Sequence, residues 1–203
     1  MSLINRNKEF EIIADLIPQG STIIDVGCSD GSLIEFLTEH NNVKARGMEI
    51  DQKKVKKCLS KGISVVEGDA DSDLYNYPAN LFNYSILTYT LQATKNPKNV
   101  LQQLVRISEK AIISFPNFGH WSIGLSLLFN RKMPVSKNLS YSWYETPNLH
   151  FCTINDFIDL CDELNLKIEM KADLKNHKLK KFKGRNLMDS YFSQAGLFLI
   201  SKK

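Results

Sequence analysis

"IIDVGCSDGSL", residues 23–33, is a run of β-forming residues that closes on an acid, then a tight glycine-bearing turn, then the opening of a helix. Strand–turn–helix units of this kind seat nucleotide-like ligands, because the helix N-terminus presents unpaired amides to them. Spacing selects the ligand. A dinucleotide fingerprint, G-x-G-x-x-G, would place glycines at 27, 29 and 32, where the chain has Gly27, Ser29 and Ser32. The acid-x-G-x-G-x-G pattern of S-adenosylmethionine (SAM) sites asks for an acid at 25 and glycines at 27, 29 and 31. Asp25, Gly27 and Gly31 meet it, and Ser29 alone departs. SAM carries no diphosphate, so the helix N-terminus would face its methionyl carboxylate, and Cys28 within the turn counts among the candidate cofactor-binding residues. A serine in the positive-φ conformation that glycine allows at 29 costs roughly 1–3 kcal/mol, part of it recoverable if the hydroxyl donates to that carboxylate.

Working outward, strands alternate with helices. Helical apolar spacing marks 9–17 ("EFEIIADLI"), 32–40, 51–62, 96–107 and 153–164, the last opened by a Thr153/Asp156 capping pair and 96–107 by Asn96 and Pro97. Strands are expected at 22–27, 45–50, 63–69, 82–88, 111–117, 166–174 and 195–203. This order predicts an α/β fold with a doubly wound, mostly parallel, seven-stranded sheet in one domain spanning 1–203. The last two strands leave no room for a full crossover helix and predict a C-terminal antiparallel hairpin. That ending is a feature of the class I SAM methyltransferase architecture, a Rossmann-like fold that this order resembles. Ligands in such sheets bind at the strand C-termini. Glu49, ending the second strand, can accept from both ribose hydroxyls. Asp69, ending the third, can accept from the adenine amino group with the Ala70 amide beside it, and Thr88 ends the fourth. Strand-end acids also serve as helix caps, so it is the set, with Asp25, that points to SAM or S-adenosylhomocysteine.

Composition sets the bounds. The 203 residues are 43% hydrophobic and 24% charged, as in ordinary globular domains. The start lacks a signal-peptide pattern, and "WSIGLSLLF" (121–129) is too short to span a bilayer, so the expected location is cytoplasmic. Cys28, Cys58, Cys152 and Cys161 form no zinc-type spacing, and no metal site is expected. The net charge of +4 is uneven: residues 171–185 carry seven bases against Asp173. No aromatic platform interleaves them, so this tract is expected to be a solvated loop and nucleic-acid binding is not expected.

The chain resembles one family, methionine biosynthesis protein MetW, from about residue 10 to 170. The stretches that carry this are "IIDVGCSDGSL", "GMEID", "LTYTLQATKNPKNVLQQLVRI", "AIISFPNFGHW" and "RKMPVSKNLSYSWYETPNLHFCTINDFIDLC". The resemblance implies a class I SAM-type fold and a role in methionine biosynthesis beside a homoserine O-acyltransferase. Two positions depart from the family pattern: Ser29 where glycine is usual, and Asn83 where the fourth strand usually has Asp.

An aromatic-rich insertion at about 115–151 is the unusual part, with both tryptophans, Phe115, Phe118, Phe129, Tyr141, Tyr144 and Phe151, and three of the six prolines. It can cap a ligand pocket, form a docking face, or be satellite core. His120, Trp121, Arg131, Trp143, Tyr144 and His150 are the candidate substrate or partner residues. No residue is assigned as catalytic: "LTYTLQ" lacks the Asn/Asp-Pro-Pro-aromatic motif of amino-methyltransferases acting on nucleic acids, and no Pro-Cys nucleophile loop appears. The expected function is a SAM-binding, methyltransferase-like protein of methionine biosynthesis that acts with the acyltransferase. An active SAM-dependent methyltransferase on a small molecule is the alternative, and an RNA-modifying or RNA-binding protein using the basic tract is a third reading.

Overall fold

A computed structural model describes residues 3–135, 141–173, 178–181 and 183–203. In chain order the strands are β1 (Thr22–Val26), β2 (Lys44–Glu49), β3 (Val65–Glu67), β4 (Phe82–Thr88), β5 (Ser108–Pro116), β6 (Leu166–Asp173), β7 (Lys178–Lys181) and β8 (Ala195–Lys202). The helices are α1 (Leu3–Leu16), α2 (Ser32–Asn41), α3 (Gln52–Ser60), α4 (Pro97–Ile107), α5 (Trp121–Asn130), α6 (Ile154–Glu163) and α7 (Leu187–Phe192).

Period-two alternation builds the sheet, because neighbouring side chains on a strand point to opposite faces. Ile24 and Val26 of β1, Ala111, Ile113 and Phe115 of β5, and Phe198 of β8 turn to the face covered by α4 and α6. Ile23, Ile112, Leu197 and Leu199 turn to the face covered by α1 and α2. Both faces are buried, as a parallel sheet wrapped by crossover helices requires. On the first face the ring of Phe115 lies tilted at 4.9 Å from that of Phe157 and stacked at 6.0 Å from that of Phe198, centroid to centroid. Truncating such a fully buried Phe costs about 3–5 kcal/mol.

The strand order is β3-β2-β1-β4-β5-β8-β6-β7. β1 to β5 pair in parallel, while β8 runs antiparallel between β5 and β6. The doubly wound sheet and its antiparallel C-terminal pair are as expected. All seven expected strands are present, and the short β7 adds an eighth at the edge.

Three elements differ from the sequence reading. β7 lies within the basic tract, pairing Lys178–Lys181 with Met170–Asp173, and Lys171 belongs to β6, so the tract is not a loop throughout. A lysine-rich segment suits an edge strand, where its charge opposes further pairing. Residues 174–177 and 182 of the tract lie outside the described residues, as do 136–140 of the aromatic segment. α7 occupies the connection to β8, and α5 forms inside the aromatic segment. Asn83 accepts from the amide and hydroxyl of Thr22 and donates to Glu109, clipping the starts of β1, β4 and β5 together. An aspartate there could not make the last bond.

Candidate functional site

The turn after β1 holds three left-handed residues within five: Gly27 at φ 76°, Ser29 at 53° and Gly31 at 77°. The left-handed φ favours glycine at 27 and 31, and neighbouring side chains crowd both positions. A Cβ on Gly27 would run into the Thr90 side chain, and one on Gly31 into Ile63. Ser29 adopts the strained conformation that the sequence anticipates. The turn is tied down by Gly27 and Cys28, whose amides donate to the Met48 carbonyl at 2.8 and 3.1 Å.

Glu49 completes the turn. Its Oε2 accepts from the Ser29 amide at 2.8 Å and its Oε1 from the Asp51 amide at 3.0 Å, so one buried carboxylate braces the glycine turn against the start of α3. Each oxygen keeps a second lone pair for a ligand hydroxyl. Asp30 accepts from the Ser32 hydroxyl and amide and pairs with Lys57, and those hydrogen bonds hold its carboxyl down at about 2. Asp25 is the exception among these acids. It is 1% exposed, its Oδ1 has no hydrogen-bond partner, and burial, with the charge of Glu49 as a lesser cause, lifts its carboxyl to about 7. An unpartnered buried acid oxygen costs about 1–3 kcal/mol, so this position is maintained at the expense of stability.

A cleft of about 430 Å³ opens at the C-terminal ends of β1 and β4. Its size is within the range of small-molecule sites. On one side stand Asp25, Gly27, Cys28 and Ser29, with Thr88 at the end of β4. On the other stand Phe118, Met133, Tyr141, Trp143 and Phe151 of the aromatic segment. That segment is not satellite core: Phe115 is buried, but Trp143 and Tyr144 are each 71% exposed.

Of the predicted cofactor residues, Asp25, Gly27, Cys28, Ser29 and Thr88 line the cleft. Gly31, Glu49, Asp69 and Ala70 lie outside its lining. Asp69 accepts from the Asp71 amide at 2.9 Å, a local turn contact. Of the second set, only Trp143 lines the cleft. His120 caps α5 by accepting from the Ser122 amide, and burial lowers its pKa, favouring the neutral ring. Trp121, Arg131, Tyr144 and His150 are exposed outside it.

Sequence reasoning missed several positions. Glu9 of α1, 3% exposed, lines the cleft; a charge on the apolar face of a helix was the available signal. Gln92, 1% exposed, anchors the aromatic segment. Its Nε2 donates to the Pro116 carbonyl and to Cys152 Sγ, and its backbone carbonyl accepts from the amides of Leu149 and His150. Asn117 is a second hub, donating to the carbonyls of Ser190 and Ser193 and accepting from the amides of Gly119 and Ile154. Among the described residues no group of three or more His, Cys, Asp or Glu could hold a metal ion, and no helix is long and apolar enough to cross a membrane.

Comparison with known proteins places these features. Residues 7–200 match the family described as methionine biosynthesis protein MetW. A bifunctional methionine biosynthesis protein MetXA/MetW from Rhodopirellula baltica is 31% identical over 175 residues. The match takes in 82% of this chain, which spans 28% of that protein's length. Among solved structures, a SAM-dependent methyltransferase of Thermotoga maritima, described as a possible histamine N-methyltransferase, aligns with a TM-score of 0.67 at 15% identity, over 99% of this chain and 92% of that one. The [4+2]-cyclase SpnF aligns with a TM-score of 0.65 at 13% identity, over 98% and 81%. At these identities the likeness is one of fold, and a fold shared by a methyltransferase and a cyclase does not by itself fix a reaction.

Proposed function

The chain belongs to the methionine biosynthesis protein MetW family, and from that premise we propose that it binds SAM or S-adenosylhomocysteine and acts as an accessory to a homoserine O-acyltransferase. Asp25 carries the ligand half of this reading: a buried carboxylate with an unpartnered oxygen, on the wall of a cleft that also holds a left-handed glycine turn. The residues present fit the ligand. Asp25 suits the α-amino cation, and Glu49 at the end of β2, with Asp69 two residues past β3, suits the adenosine. Bound SAM would supply an electrophilic methyl group. The Rhodopirellula relative, which carries MetXA and MetW functions in one chain, supports the partner half.

Calorimetry with SAM tests the ligand, using the parent and Glu49→Gln. Alanine is the wrong replacement, because it would strip both the Ser29 and Asp51 amides of their acceptor. Glu49→Gln should weaken SAM about tenfold or more, the loss of a charge-assisted bond. Equal affinity in parent and variant would remove Glu49 from the site.

A second reading, methyl transfer to a small molecule, is favoured by one observation: the cleft continues past the turn to the aromatic wall, leaving room beside the donor. Neither His120 nor His150 reaches that cleft as a base. A methylated product formed from labelled SAM would put this reading first.

A further inference from the structure

Helix α5 is ten residues long, carries no charged side chain, and buries only Ile123 among its apolar residues. Trp121, Leu125, Leu128 and Phe129 follow the i, i+4, i+7, i+8 rule and form one stripe. That stripe faces water: Leu128 is 68% exposed and Phe129 75%. An amphipathic helix normally turns such a stripe inward. Two more exposed apolar groups stand nearby. Asn117 ties the loop before α5 to the carbonyls of Ser190 and Ser193, bringing α7 with Met188 and Tyr191 to the same end of β5. Phe118 packs on Phe151 at 4.6 Å, bringing in the end of the aromatic segment. Apolar surface concentrated in this way marks a binding face.

The chemistry of the face selects its occupant. Helices that lie in membrane surfaces pair their apolar stripe with a Lys- and Arg-rich polar face. The rest of α5, Ser122, Ile123, Gly124, Ser126, Leu127 and Asn130, offers no basic residue. Protein interfaces have the composition seen here: a centre depleted of charge and rich in aromatics, with arginine enriched. Arg131, which ends α5, is exposed at its edge.

We infer that the α5 stripe is the centre of the surface that docks the homoserine O-acyltransferase. This rests on the partnership proposed above and adds the face through which it works. The test is biolayer interferometry between this protein and the acyltransferase of the same organism, with Leu128→Asp, Phe129→Asp and, as a control far along the chain, Leu59→Asp on α3. All three side chains are exposed, and circular dichroism checks that each variant stays folded. Each α5 variant should lose at least about 30-fold in affinity, as hot-spot residues do, while Leu59→Asp stays within about twofold of the parent, as peripheral positions do. Full binding by both α5 variants would overturn the assignment of the face while leaving the partnership intact. A parent that does not bind the acyltransferase would overturn the partnership and this occupant together. Self-association of the parent abolished by the same variants, or its binding to phosphatidylglycerol vesicles in place of the acyltransferase, would assign the stripe to another occupant and refute the proposal.

Discussion

Asp25 has a measurable consequence at the scale of a single residue. Its carboxyl titrates near 7 in the folded chain, against an ordinary 3.8. Between those values the unfolded chain has released this proton and the folded chain still holds it. Folding therefore binds protons, and the contribution of Asp25 to stability falls as pH rises from about 4 to about 7, then levels off. The melting temperature of Asp25→Asn should accordingly gain on that of the parent across that window and hold its lead above it. Ligand affinity runs the other way. A cationic amino group favours the ionised acid, so SAM should bind more tightly as pH rises, by up to about tenfold per unit below pH 7, and Asp25→Asn should flatten the profile. A parent profile already flat from pH 5.5 to 8 would detach Asp25 from the ligand. The position of this acid was legible in the sequence because the glycine spacing fixes where β1 ends. Its missing hydrogen bond was not, since satisfaction depends on what β2 and α1 bring alongside. Glu49 shows the same limit: spacing placed it at the end of β2, but its bracing of the Ser29 and Asp51 amides is a tertiary fact.

Elements were legible where a local code was complete. The Thr153/Asp156 pair forms a reciprocal capping box on α6, and Asn96 with Pro97 opens α4, both read directly from residue type and spacing. α5 escaped because nearly every side chain in "WSIGLSLLF" is apolar or small, so no buried stripe stands out against a polar one. β7 escaped because three lysines in four residues hide the alternation of a strand. Between these elements the aromatic segment depends on Gln92 for its attachment, which no periodicity could announce. Gln92→Leu keeps the carbonyl that holds Leu149 and His150 but loses the side-chain bonds to Pro116 and Cys152. Leaving the buried Pro116 carbonyl without that donor should cost about 1–3 kcal/mol. For a chain of this size the melting temperature should fall by about 2–4 °C per kcal/mol. Chymotryptic cutting between 141 and 151 should also rise severalfold while the sheet resists. A uniform loss of resistance across the chain would mean that Gln92 supports the core and does not anchor the segment.

At the scale of the whole molecule, the aromatic segment has two sides. From within, Phe118, Tyr141, Trp143 and Phe151 line the cleft that also holds Asp25 and the glycine turn. From without, Tyr144 and much of Trp143 face water. A ligand that orders the inner side therefore acts on the outer side as well, and a partner docked outside acts on the cleft. Thermodynamic linkage makes this coupling reciprocal: whatever factor SAM applies to acyltransferase affinity, the acyltransferase must apply to SAM affinity. Four titrations close the cycle: each partner binding the free protein, and each binding the protein saturated with the other. The expected factor is at least about fivefold, the lower range of allosteric couplings, equal in the two directions within error. It should shrink in Gln92→Leu, where the segment is loosened from Pro116, with both individual affinities still measurable. A factor of one in the parent would make cleft and docking face independent, and the accessory role would then need no bound SAM.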